Sequence, residues 1–320
     1  MNRIKEGFLL IRNPYNYHQV KRISLLPEDI DAIVFWTRNP GKMLSDLDLL
    51  KEFKYYFQYT ITGYPKILDA HGLNPHRAIS TFLALSKKIG RNKIIWRYDP
   101  IIISSATPVS EHKRLFQKIA SNLVGHTDRV VISFADLYQK TKRNLNLIPD
   151  FTYRDITHFH EELYDLCSFF ADVAREYDMQ ISTCAESLDL EQVGIVKGKC
   201  IDDRLLKELF GLHVSGIKDS GQREACGCIK SIDIGQYNTC LHGCRYCYAT
   251  FNENIVKANM KKHNPISPFL LGDASDVDND SFEKCNCSTK AILMPHFRCF
   301  LGSVGEMDYN LPRIFIHKRR

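Results

Sequence analysis

A chain of 320 residues, 44% of them hydrophobic and 25% charged, is long for one ordinary domain, although an α/β barrel uses such a length as a single unit. No run approaches the roughly 20 apolar residues of a membrane span, and Met1 to Gly7 carries no apolar signal segment, so the expected setting is cytoplasmic with no membrane partner. The formal net charge of +6 is spread along the chain, which supports a nucleic-acid partner only weakly.

The chain opens on what reads as the last turn of a helix, Met1 to Glu6, flowing into a strand over Phe8 to Ile11. Asp31 to Thr37 is a short apolar run closed by Asn39-Pro40, the pattern of a buried strand. Tyr55 to Thr62 is aromatic and β-branched, and Gly63 ends it. Asn74 and Pro75 then read as an N-cap and first helical position, with Ile79, Phe82 and Leu83 recurring on one face. Lys93 to Tyr98 is the next strand, followed by Asp99-Pro100 and a helix on whose face His112, Leu115, Phe116, Ile119, Ala120 and Leu123 recur. Arg129 to Phe134 and Met179 to Thr183 are further strands, separated by the longest helical pattern, in which Phe159, Leu163, Leu166, Phe170, Val173 and Tyr177 keep the 3.6-residue period. This alternation predicts a parallel sheet with helical crossovers, closed or partly closed into a barrel over residues 1–272. Past Gly272 an Asp-rich run replaces the periodicity, and residues 273–320 read as an atypical, poorly ordered tail.

Of the eleven cysteines, only Cys167 and Cys184 precede residue 200. In a reducing compartment such clustering points to metal or catalysis rather than to disulfides. Cys240-Leu-His-Gly-Cys244-Arg-Tyr-Cys247 places three thiols on a tight loop after Ser231 to Tyr237, which reads as a strand. Three thiolates hold three irons of a [4Fe–4S] cluster and leave the fourth open to the amino and carboxylate groups of S-adenosylmethionine, whereas four cysteines close the site for electron transfer. Zinc is the alternative, but zinc loops favour paired Cys-x₂-Cys knuckles, and this segment has one such pair. Tyr246 is the aromatic side chain placed to pack near the adenine. Cys184, Cys200, Cys226 and Cys228 form a second group, a candidate for another iron–sulfur cluster or zinc, or plain core packing. Cys167 reads as packing, and no role is expected for Cys285, Cys287 or Cys299.

Polar residues recur at strand ends: Thr37, Arg38 and Asn39 after one strand, Arg97 and Asp99 around Tyr98, then Ser133, Asp136 and Glu186. Thr37, Asn39, Arg97, Ser133 and Tyr246 are the candidates for contact with the cofactor. A buried Arg97 needs an anion, and either the carboxylate of the methionine moiety or a salt bridge with Asp99 or another carboxylate would serve. The residue types single out no catalytic acid, base or nucleophile.

The segment Asn238-Thr-Cys240-Leu-His-Gly-Cys244-Arg-Tyr-Cys247-Tyr-Ala249 resembles the cluster loop of spore photoproduct lyase and its radical S-adenosylmethionine relatives. Over residues 1–272 the chain is more similar to the uncharacterised bacterial family called domain of unknown function 1848, through Arg12-Asn-Pro14, Trp96-Arg-Tyr-Asp-Pro100, Cys184-Ala-Glu186, Lys199-Cys-Ile-Asp202, Gln222-Arg223 and Cys226-Gly-Cys228. The resemblance implies a TIM-like (β/α) barrel with a circularly permuted strand order, its cluster-binding segment at 184–250, closing the domain instead of opening it. Members of that family begin with a further strand, bearing a Ser-Arg-Arg-Thr-Asp-like segment that corresponds to the strand helping to hold the methionine amino group. This sequence departs from them in lacking it, which reads as a truncated start, a misassigned initiator or a degenerate copy.

The activity so implied is reductive cleavage of S-adenosylmethionine to a 5′-deoxyadenosyl radical that acts on an unknown substrate, in a lyase- or oxidoreductase-like enzyme fed by a flavodoxin- or ferredoxin-class electron donor. A non-catalytic or electron-transfer iron–sulfur protein and a zinc-binding, nucleic-acid-associated module are the other readings.

Overall fold

The computed structural model describes residues 1–12, 20–250 and 252–273, and the backbone of 313–318. The short helix α1 (Asn2–Glu6) leads into β1 (Phe8–Arg12), which pairs antiparallel with β2 (Val20–Ser24) in a small separate sheet. The main sheet contains β3 (Ile30–Thr37), β4 (Tyr55–Thr60), β5 (Ile94–Ile101), β7 (Arg129–Phe134), β9 (Gln180–Cys184) and β10 (Val196–Gly198). Each of these pairs in parallel with the next, giving six parallel strands in chain order. Two-residue β6 (Ile103–Ser104) and β8 (Tyr153–Arg154) pair with each other outside it. Parallel neighbours need crossovers. Three of these are helices: α2 (Pro75–Ile89), α3 (Val109–Leu123) and α5 (His160–Glu176), with α4 (Gln139–Asn146) an extra helix after β7.

Alternation along each strand sorts the side chains onto two faces. Ile33, Phe35, Phe57, Tyr59, Ile94, Trp96, Tyr98, Val130 and Ile132 face the apolar stripes of α2, α3 and α5, where Phe82, Phe116 and Phe170 are fully buried. Ala32, Val34, Tyr56, Ile95 and Val131 face the other way, against α6 (Asp203–Phe210) and Ile229. Burial on both faces explains why β3 reads as an unbroken apolar run. Asn74 caps α2 by accepting from the His76 amide at 2.9 Å, with Pro75 at the first position, as the sequence predicts.

The outcome is a mixed α/β fold in which β10 marks one edge of the sheet and the two-residue β11 (Ile232–Asp233) the other. No pairing joins β10 to β11 among the described residues, so the closure allowed for in the sequence reading is not seen. The expected strand before the cysteine loop is thus reduced to β11, which pairs antiparallel with β12 (Arg313–Lys318). Strand β12 in turn runs antiparallel to β3. The last helix, α7 (Glu253–Lys261), follows the cysteine loop. Of the segment 273–320, Asp273 and β12 are described; Cys285, Cys287 and Cys299 lie outside the described residues. Two further expectations shift. Strand β5 runs through Asp99-Pro100 to Ile101, and Phe159, expected on the core face of α5, is 49% exposed. No helix among the described residues is long and apolar enough to cross a membrane.

Candidate metal centre

Cys240, Cys244 and Cys247 are half-buried cysteines on one loop. Main-chain bonds fix that loop to the segment leaving β4: His71 N donates to His242 O (3.0 Å), Arg245 N to Leu68 O (2.8 Å) and Ala70 N to Gly243 O (3.3 Å). Asp69 and Cys244 form an antiparallel bridge. The approach requires Gly243. Its φ is +71°, and a Cβ there would stand 2.9 Å from His71 and 3.1 Å from Ala70. On the other flank, Lys140 of α4 donates to Tyr248 O at 3.0 Å.

Beneath the loop lies a charged network. Arg38, the first residue past β3, donates to Asp69 Oδ2 (2.8 Å), Thr62 Oγ1 (2.9 Å), Tyr246 Oη (2.6 Å) and Cys244 Sγ (3.6 Å). Tyr246 Oη donates to the other Asp69 oxygen at 2.7 Å. Burial opposes the Arg38 charge, but Asp69, Tyr246 and Cys244 outweigh it and raise its pKa well above the ordinary value. Burial pushes the Cys244 thiol up, with Arg38 working against that rise. Burial also lowers His242 to about 4, so its imidazole is neutral near pH 7. One ligand atom each from Asp69, His242 and Cys244 lies within 4.8 Å of the others. A cavity of about 300 Å³ opens beside this network at the carboxyl ends of β3 and β4, lined among others by Arg38, Thr60, Thr62, Tyr64, Asp69 and His242.

The second group is built differently. Cys184 ends β9, Cys200 follows β10, and Cys226 and Cys228 lie on a later loop; all four are buried. Gly198 lets β10 come close, since a Cβ there would stand 2.7 Å from Ser182 Oγ and 2.8 Å from Thr183 O. Cys184, Cys200, Cys226 and Cys228 belong to one buried cluster with Ile201, Leu205, Leu206 and Ile229. Hydrogen bonds from Cys200 and Cys228 pull the Cys184 thiol well below its ordinary value. Sulfur Cys228 Sγ accepts from Cys200 N (3.2 Å) and Ile201 N (3.4 Å).

Residues 1–249 match the family described as Domain of unknown function (DUF1848). The chain belongs to DUF1848. No curated protein matches it. Among solved structures, an α-L-fucosidase candidate from Bacteroides thetaiotaomicron VPI-5482 aligns at 19% identity over 48% of this chain and 47% of that one, with a TM-score of 0.27. This DUF1848 chain therefore spans just under half of that protein's length.

Of the polar residues picked from the DUF1848 sequence, Arg38 and Tyr246 join the loop network. Thr37 Oγ1 accepts from Asn39 N at 3.0 Å and Asn39 Oδ1 from Gly41 N at 3.1 Å, so both shape the turn after β3. Arg97 is 1% exposed and sits with the second cysteine group: it forks onto Asp99 (3.0 and 2.6 Å), donates to Cys200 Sγ (2.9 Å) and stacks over Trp36. Ser133 is half-buried near the end of β7. Cys167 is buried in α5, where burial pushes its thiol up to about 12. Asp69, Thr62 and His242 were not singled out by sequence. His242 had a signal in lying between two candidate ligands; Asp69 had none, because its position depends on the long-range bridge to Cys244.

Proposed function

We propose that the chain is an iron–sulfur protein of the radical S-adenosylmethionine type, with Cys240, Cys244 and Cys247 holding a [4Fe–4S] cluster on a permuted, partly closed α/β barrel. One observation carries the reading: three half-buried cysteines share a loop fixed beside a cavity at the carboxyl ends of parallel strands. Ligands in α/β sheets bind outside those strand ends. The loop comes last in sequence yet docks on the segment leaving β4, which supports a permuted order.

The donor set suits the group. Three soft thiols supply ligands, and N–H donors face two of them, His242 N at 3.4 Å from Cys240 Sγ and Arg38 at 3.6 Å from Cys244 Sγ. When bound, such a cluster supplies one electron to the sulfonium of S-adenosylmethionine, giving methionine and a 5′-deoxyadenosyl radical, the electron coming from a flavodoxin- or ferredoxin-class donor. The protein's part is placement. Asp69 holds Arg38 and Tyr246 with separate oxygens, so the Arg38 cation stays beside the thiolates and offsets their charge. The Tyr246 ring meets Tyr64 edge-on, with centroids 5.9 Å apart, and screens the loop from the core. The cavity, walled by Thr60 to Lys66, offers hydroxyl and backbone groups to a polar ligand and is at the small end of the usual ligand-pocket range.

The proximity of Asp69, His242 and Cys244 favours a second reading, a single ion held by those three groups. Both Asp69 oxygens are already engaged by Arg38 and Tyr246, which makes Asp69 a positioning group in the first reading. Anaerobic reconstitution separates the two. About four irons and four sulfides at the loop, lost together in Cys240→Ala, Cys244→Ala or Cys247→Ala and unaffected by His242→Ala, are expected, with 5′-deoxyadenosine released under a chemical reductant. Unchanged iron in the three cysteine variants sinks the cluster reading, and sulfide-free metal lost in His242→Ala supports the single ion.

A further inference from the structure

We propose that Cys184, Cys200, Cys226 and Cys228 form a second, closed metal site: a tetrathiolate for one tetrahedral, thiophilic divalent ion of the zinc type.

Three separate stretches of chain bring these cysteines into one buried cluster: the end of β9, the residues after β10, and the Cys226-Gly227-Cys228 turn. That turn is tied down on both sides. Cys228 O accepts from Asp219 N at 2.9 Å, Ile229 N donates to Ile201 O at 3.1 Å, and Ile229 bridges antiparallel to Lys218.

Cysteines buried among Ile201, Leu205, Leu206, Leu212 and Ile229 could serve as small apolar packing. The donors argue otherwise. Two backbone N–H groups converge on Cys228 Sγ, and the Arg97 guanidinium lies 2.9 Å from Cys200 Sγ. Three N–H groups on two sulfurs suit sulfur that carries negative charge, as in the N–H···S shell around metal-bound thiolates. Asp99 forks onto Arg97 and keeps it there, while Gln58 and Tyr56 hold the Cys200 carbonyl at 2.9 and 2.6 Å.

Four thiols with no other donor suit a tetrahedral, thiophilic ion, with metal–sulfur bonds of about 2.3 Å. With four protein ligands and an apolar shell, no coordination position stays open, which is the form of a structural site. Its ion would clamp the β9–β10 edge to the chain that runs on to the three-cysteine loop.

The test uses the full chain with Cys240, Cys244 and Cys247 all changed to Ser, so that only the second group can respond. About one zinc per chain without sulfide is expected on isolation, and Co²⁺ added to the metal-stripped chain should give the visible absorption of tetrahedral cobalt thiolate. Adding Cys226→Ser and Cys228→Ser should abolish the zinc and weaken Co²⁺ binding at least tenfold. The proposal is overturned if the loop-deficient chain neither carries nor takes up metal, or if it holds about four irons with sulfide. It is equally overturned if the further double variant binds Co²⁺ as tightly. The loop-deficient chain decides the first two outcomes even if the double variant fails to fold.

Discussion

The two cysteine groups differ in what surrounds their sulfur. Cys240, Cys244 and Cys247 are half-buried beside a cavity, and their charged neighbours, Arg38 and Asp69, come from loops just past β3 and β4. Cys184, Cys200, Cys226 and Cys228 are buried under aliphatic side chains, and their cation, Arg97, comes from inside β5. Solvent and small molecules can reach the first group. The second is walled in. The difference separates a place where chemistry can be exchanged with a ligand from a place that can only hold the chain together.

The largest expected effect breaks the closed side. Arg97→Met leaves Asp99 without its buried cation and Cys200 without its donor, which costs about 3–5 kcal/mol in urea unfolding. Adding Asp99→Leu should recover a substantial part. If Arg97→Met alone unfolds with an unchanged midpoint, the buried pair does not hold that side.

A smaller effect lies on the helical face of the sheet, at His112 of α3. His112 sits between Tyr98 Oη (2.8 Å) and Ile102 O (3.0 Å), and burial lowers its pKa to about 4. The folded state therefore favours the neutral ring. Its contribution is complete above the unfolded value near 6.5 and is lost as pH falls from there through about 4, roughly 2–3 kcal/mol in all. Urea midpoints between pH 7 and pH 4 should fall in the parent chain, and fall less in His112→Asn. Equal slopes in the two would assign the acid sensitivity elsewhere.

The smallest effect sharpens the open side. Gly243→Ala forces a side chain into a left-handed backbone against His71 and Ala70, costing about 1–2 kcal/mol. It should lower iron retention by the loop while metal at the second group is unchanged. A parallel loss at both groups would show that they are one structural unit.

How much of this could be read in the sequence depended on range. The helical stripes and the strands of the parallel sheet follow from local periodicity, and His112, Leu115, Phe116, Ile119, Ala120 and Leu123 are all buried as that pattern requires. Both cysteine groups were legible because thiols are rare and cluster visibly. Orientation at strand ends was not. Thr37, Arg38 and Asn39 read as equivalent candidates, yet only Arg38 reaches the loop network, while its neighbours bond their own turn. Asp69 occupies an aperiodic stretch, and its role exists only because a segment far along the chain comes back to meet it. Likewise, Arg97 had two possible partners in sequence, and folding shows it bonded to Asp99 and Cys200.

The Arg38–Asp69 pair has a consequence for the order of assembly. Its members are 31 residues apart, whereas Tyr246 reaches Asp69 across 177 residues and Cys244 meets Arg38 across 206. A chain folding as it leaves the ribosome can join the short-range pair long before the distant loop is synthesised. Cys240, Cys244 and Cys247 then arrive at a receptor already charged and shaped.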